Sequence, residues 1–167
     1  MKILLAAVNA KYIHSNLAVY CLKSYAASKG QEAEIAEYTI NQQTSEVLRD
    51  LYERNADMVA FSCYIWNIEL IKRLTIELKK LLPKTIIIAG GPEVSFNETN
   101  EPFDSLIIGA EASFLAFFED YKNNPNNIKK RYYAENKPFA EIKTAYTDEF
   151  FYSFKNEKIT QIENRLL

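Results

Sequence analysis

Glycine is nearly absent from this chain. There are four in 167 residues, and two of them adjoin, in Thr85-Ile86-Ile87-Ile88-Ala89-Gly90-Gly91-Pro92. A glycine pair after an aliphatic run, in so glycine-poor a chain, marks backbone that something approaches closely, because a Cβ would hold it off. Cysteine is scarce as well. Cys21 and Cys63 fall in a predicted helix and a predicted strand, which suits reduced core thiols in a cytoplasmic protein. Two such cysteines make no metal or iron–sulfur site on their own. No run of Lys or Arg relieves a net charge of −2 and a pI near 5.6, so nucleic acid is not an expected partner. No apolar stretch reaches the roughly 18–20 residues that span a bilayer, so neither is a membrane. The opening apolar run breaks at Asn9 without a cleavage context and reads as a buried strand.

Hydrophobic residues make up 48% of the chain, enough for one domain with a real core. Strand and helix signals alternate over residues 1–121. A continuous apolar run at 2–8 suits a parallel strand covered on both faces. Leu17, Tyr20, Cys21, Tyr25 and Ala26 then recur at helical spacing, and Gly30 supplies the stop. Residues 33–38 alternate as a strand. Thr44 or Ser45 caps a helix with Val47, Leu48, Leu51 and Tyr52 on one face. A buried strand at 58–63 leads to Asn67 as the cap of a long helix. That helix turns Ile68, Ile71, Leu74, Leu78, Leu81 and Leu82 inward and ends at Pro83. Strands at 86–89 and 106–108 and a Phe-rich helix at 113–121 complete the unit.

Five such units predict an α/β fold: a doubly wound, Rossmann-like or flavodoxin-like, five-stranded parallel sheet in the order 2-1-3-4-5. Ile3, Leu5, Val59, Phe61, Ile87 and Ile88 are its expected buried strand residues. From Lys122 the character changes. Lys122-Asn123-Asn124-Pro125-Asn126-Asn127 is a linker by composition, and 128–167 is expected to lie outside the sheet as an extension. The ending at Glu163-Asn164-Arg165-Leu166-Leu167 reads as a cut from a longer chain.

Ligands of such sheets sit beyond the carboxyl ends of the strands, which places residues 9–16, 62–67 and 90–96 around one rim. No Ser/Thr/Gly-rich phosphate loop follows the first strand, which argues against a flavin or small-nucleotide site. No Asp ends the third strand as in a phosphoacceptor receiver, and no GxGxxG opens the first helix. What remains is Ser62, a glycine pair and the amphipathic aromatics Tyr12, Tyr64 and Trp66. These suit a large, flat, partly polar ligand.

Three of those loops carry a family resemblance. Asn9-Ala10-Lys11-Tyr12-Ile13-His14-Ser15-Asn16-Leu17-Ala18, Phe61-Ser62-Cys63-Tyr64-Ile65-Trp66-Asn67 and Gly90-Gly91-Pro92-Glu93-Val94-Ser95 stand in the right order. Together they resemble the N-terminal cobalamin (vitamin B12)-binding domain of cobalamin-dependent radical S-adenosylmethionine proteins, over residues 1–121. The family's Gly-Glu-Gly-Glu after the fifth strand becomes Gly109-Ala110-Glu111-Ala112 here.

The resemblance implies cobalamin as cofactor, its nucleotide tail lowered between sheet and helices and held away from cobalt. Ser62 would hydrogen-bond the tail, and Gly90 and Gly91 would give it room, so Gly91→Val should block cobalamin retention and leave the far-UV circular dichroism intact. A plainer reading stands beside it, with Ser62 bonded to a neighbouring backbone group and the glycines forming a turn into Pro92. The positions expected at the cofactor are Asn9, Tyr12, His14, Ser62, Tyr64, Trp66, Gly90, Gly91, Pro92, Glu93, Gly109 and Glu111. His14 is the chain's single histidine. The related Asp-x-His-x-x-Gly motif, which supplies a lower ligand to cobalt, would need Asp and Gly where Tyr12 and Leu17 stand. His14 is therefore expected near the corrin and off the metal. The resemblance further implies a C-terminal radical S-adenosylmethionine domain in the same parent chain, carrying a CxxxCxxC-bound [4Fe–4S] cluster and S-adenosylmethionine. This chain holds no such motif and no expected catalytic residue. The competing reading is a degenerate α/β domain that serves as a docking surface without a cofactor.

Overall fold

The aliphatic runs become strands because each is buried on both faces, and alternate residues feed opposite layers. The computed structural model describes residues 1–12, 15–96, 102–109 and 111–133. Strand β1 (Ile3–Asn9) lies between β2 (Glu34–Thr39) and β3 (Met58–Ser62), with β4 (Ile86–Gly90) and β5 (Ser105–Ile108) beyond β3. All these pairings are parallel. The expected order 2-1-3-4-5 is present, and all six expected core residues are buried.

A sixth strand corrects the expectation that everything after Lys122 lies outside the sheet. Strand β6 (Arg131–Tyr133) pairs in parallel with β5, which places it at the sheet edge. It satisfies backbone groups that β5 would otherwise leave open: Leu106 N–H donates to the Lys130 carbonyl at 2.9 Å. Tyr132 anchors it. Its ring is buried edge-on against Phe117, and its hydroxyl donates to Asp120 at 3.1 Å and accepts from Lys129 N–H at 3.0 Å. Three residues are too few to show a strand period, so one buried tyrosine in a Lys/Tyr-rich stretch is a faint signal.

Helices α2 (Thr44–Arg54), α3 (Ile68–Leu81) and the short α4 (Pro92–Phe96) cover one face. There Leu4, Ala6, Val8, Val59, Phe61, Ile87 and Ala89 pack with Leu51, Ile71, Leu74 and Leu78. Helices α1 (Leu17–Ser28) and α5 (Glu111–Asn123) cover the other. There Ile3, Leu5, Ala7, Ala60, Ile88 and Ile107 pack with Val19, Phe114 and Phe117. The inward stripes of α2 and α3 are narrower than the spacing suggested: Tyr52 and Leu81 stand half exposed, while Val47, Leu51, Leu74 and Leu78 fill the interface.

The helix ends follow local chemistry. Gly30, at φ 72°, takes the left-handed position after α1, with Gly30 N–H on Ala27 O and Gln31 N–H on Ala26 O. Thr44 and Ser45 do not cap α2, because the helix already begins at Thr44 and the cap position falls on Gln43. Tyr38 in β2 donates to Asp50 of α2 at 2.6 Å, and Arg54 donates to the same carboxylate at 2.7 Å. Burial, then the Asp50 carboxylate, raise the Tyr38 hydroxyl far above its ordinary pKa. This fastens the carboxyl end of β2 to α2. Among the described residues no helix is long and apolar enough to cross a membrane.

Candidate functional site

The strand register sets Ala7, Ser62, Gly90 and Ile107 side by side across β1, β3, β4 and β5 near their carboxyl ends. Ala7 and Ile107 belong to the layer under α1 and α5, and alternation along β3 and β4 turns Ser62 and Gly90 the same way. Three of these four carry little or no side chain. The row is thus a low place in the sheet surface, on the α1/α5 side.

Ser62 is only 7% exposed. Its Oγ accepts a hydrogen bond from Asn16 Nδ2 at 3.2 Å, and its own hydroxyl hydrogen has no acceptor among the described residues. The two glycines behind it differ. A Cβ on Gly90 would meet the Ile107 carbonyl oxygen at 3.4 Å, close to ordinary contact, so the chain itself does not demand glycine there. A Cβ on Gly91 would lie 2.5 Å from the Cys63 carbonyl oxygen, and Gly91 sits at φ 108°. The close approach read from the sequence is real at Gly91, but the approaching group is the chain's own Cys63 backbone. This corrects the expectation for Gly91→Val, since a side chain there deforms the β3 and β4 loops directly. Gly91→Ala is expected to destabilise by about 1–3 kcal/mol in urea unfolding, whereas Gly90→Ala stays within about 1 kcal/mol. Equal effects of the two substitutions would contradict this geometry.

The loop after β3 is fixed from inside. Asn67, fully buried, does not cap α3 with its side chain as its position suggested. Its Nδ2 donates to Val8 O at 2.9 Å and Ser62 O at 3.0 Å, and its Oδ1 accepts from Tyr64 N–H at 2.8 Å. These bonds join the ends of β1 and β3 and hold the tight turn that displays Tyr64 and Trp66. Their rings stack at 4.5 Å, 8° from parallel. Tyr12 (69% exposed), Ile65 (79%) and Phe96 (86%) stand on loops or helix ends following β1, β3 and β4. The rim is therefore apolar and aromatic.

The loop after β1 hangs on Glu37, whose role the sequence did not reveal. Its carboxylate accepts from Asn9 Nδ2, Asn16 N–H and the Tyr20 hydroxyl, each at 2.9 Å, and from Ser15 Oγ at 3.5 Å. The available signal was a Glu two residues after Ile35, on the same strand face toward α1. Asn9 is thus engaged with Glu37. Pro92 opens α4 in the first helical position, where its lack of an N–H is harmless, and Glu93 N–H reaches Cys63 O at 3.3 Å. Gly109 is exposed at φ 93°, and Glu111 begins α5. His14 and Ala110 lie outside the described residues.

A doubly wound parallel sheet with small residues, a buried hydroxyl and an aromatic rim at the carboxyl end defines a cofactor-binding module. The family model for the B12 binding domain matches residues 3–116. The chain belongs to that family, and cobalamin is its cofactor. Among solved structures it is similar to the cobalamin-dependent S-adenosylmethionine radical enzyme OxsB with aqua-cobalamin and S-adenosylmethionine bound. That match has a TM-score of 0.67 and 14% identity, over 84% of this chain and 23% of the enzyme. It is similar also to a cobalamin-binding protein from Desulfitobacterium hafniense DCB-2, with a TM-score of 0.58 and 18% identity, over 72% of this chain and 58% of that one. Identities this low show a shared fold. The chain spans less than a quarter of OxsB. No curated protein matches the sequence.

Proposed function

We propose that this chain is the cobalamin-holding module of a larger radical S-adenosylmethionine enzyme, and that it keeps the cofactor base-off with the nucleotide tail lowered along the Ala7–Ser62–Gly90 row. On this reading the same parent chain carries a C-terminal domain, which binds the [4Fe–4S] cluster and S-adenosylmethionine. The observation that carries it is Ser62: a buried hydroxyl with its hydrogen unspent, in a row of small residues. Packing for stability alone would fill such a row with side chains.

The residues fit the group. Ser62 donates a hydrogen bond to the tail, and Gly90 leaves the depth a side chain would take. Tyr12, Tyr64 and Trp66 would cover the corrin and exclude water, while Glu93 would meet its amide side arms. Asn9, Pro92 and Gly109 would shape the surrounding loops, and His14 is expected not to ligate cobalt, since Tyr12 and Leu17 stand at the offsets of the motif's Asp and Gly. Cobalamin, when bound, supplies methyl-transfer or related radical chemistry at cobalt. The chain's own part is binding and orientation.

Mixing the protein with hydroxocobalamin and desalting it tests the reading. A visible spectrum of bound cobalamin is expected to elute with the protein in near-stoichiometric amount. Protein that elutes colourless at saturating cofactor would instead favour a docking domain that has lost the cofactor.

A further inference from the structure

We infer that Asn16 fixes the hydrogen-bond polarity of Ser62, so that the buried end of the groove presents a donor and selects a tail carrying an unprotonated acceptor. This rests on the tail-lowered reading above, but the residues that set the polarity are new to it.

The orientation of the Asn16 amide is dictated by α1. Its Oδ1 accepts from Ala18 N–H at 3.1 Å as the helix cap, a place that an NH₂ group cannot fill. Nδ2 is then the end that faces Ser62, at 3.2 Å. An amide nitrogen accepts no hydrogen bond, so Ser62 Oγ must be the acceptor in that pair. The hydroxyl hydrogen is left pointing elsewhere, with no acceptor among the described residues. A group lowered onto Ser62 therefore meets an O–H donor.

Asn16 itself cannot drift. Its N–H is held by Glu37 Oε1 at 2.9 Å, and its carbonyl accepts from Val19 N–H at 3.2 Å. Glu37 is in turn positioned by Asn9 Nδ2 and the Tyr20 hydroxyl. An ionised carboxylate only accepts, so each of these groups must donate to it and the network has one sense. Asn16 is 8% exposed, which protects the pair from competition by water. Glu37 thus holds the backbone of Asn16 in place, and Ala18 N–H sets the amide orientation that gives the bond to Ser62 its sense. Asn16 is a positioning residue.

The test titrates the full chain with two probes sharing one corrin: hydroxocobalamin, whose tail bears a benzimidazole nitrogen, and cobinamide, which has no nucleotide tail. The parent is expected to prefer hydroxocobalamin by about tenfold or more. Asn16→Asp keeps an oxygen cap for α1 but offers Ser62 an acceptor in place of a donor, turning the hydroxyl away from the groove. Hydroxocobalamin affinity should fall about tenfold toward that of cobinamide, and cobinamide affinity should not change. Asn16→Ser keeps the cap with neither amide nor added charge beside Glu37. It should show a smaller loss, again confined to hydroxocobalamin, and it carries the test if Asn16→Asp does not fold. Unchanged hydroxocobalamin affinity in the folded variants overturns the inference, as does an equal loss for both probes. If the parent binds both probes alike, or neither, the tail-lowered reading fails and takes this inference with it.

Discussion

Asn67→Ala is expected to lower the stability of the domain by about 3 kcal/mol and to disorder the rim loop. The substitution strips partners from Val8 O, Ser62 O and Tyr64 N–H at once. A buried polar group left unsatisfied costs about 1–3 kcal/mol, and the half-buried Tyr64 N–H recovers part of its share from water. The sum stays near 3 kcal/mol because the small cavity left by the amide admits some solvent. The loss falls at the candidate site, since the same bonds set the turn that stacks Tyr64 on Trp66. Trp66 is the chain's single tryptophan, so its fluorescence reports this loop alone. Urea unfolding should show a lower midpoint with an unchanged slope, and Trp66 emission in the folded variant should shift toward that of a solvated indole. A loss below 1 kcal/mol with unaltered emission would show that the turn stands without Asn67.

The contrast between what was and was not legible has a physical pattern. Buried parallel strands announce themselves because both faces must be apolar, so the runs around Ile3, Val59 and Ile87 could be read without any partner in view. Strand β6 could not, for it is defined by the open edge of β5 and by Tyr132 reaching Phe117, neither of which is local in sequence. The candidate site residues divide along the same line. Ser62 and the glycine pair stand at strand ends, where topology alone makes them neighbours. The roles of Asn16, Glu37 and Asn67 depend on bonds spanning 21, 46 and 59 residues, which no spacing rule anticipates. Gly91 shows the limit from the other side: its scarcity signalled a close approach, but only the fold identifies Cys63 as the group that comes near.

The cob(II)alamin form of the loaded protein is expected to give an electron paramagnetic resonance spectrum with cobalt lines unsplit by nitrogen. Two nitrogens could split them, and a separate argument removes each. The benzimidazole nitrogen of the tail has one lone pair, which accepts from a donor at Ser62 or binds cobalt, but not both. On the proposed reading the Asn16–Ser62 polarity would commit it to the first and hold the tail below the rim. The imidazole of His14 lacks the carboxylate that orients a metal-bound histidine, because Tyr12 occupies that offset. Tyr12 is instead largely exposed, and Leu17, at the offset of the motif's glycine, already begins α1. The two failures have different signatures. Nitrogen triplets that vanish in His14→Ala would make His14 the lower ligand despite the absent carboxylate. Triplets that persist in His14→Ala would place the tail's own base on cobalt and empty the Ser62 groove. An unsplit spectrum would support the proposed reading, in which neither His14 nor the base held at Ser62 would ligate cobalt.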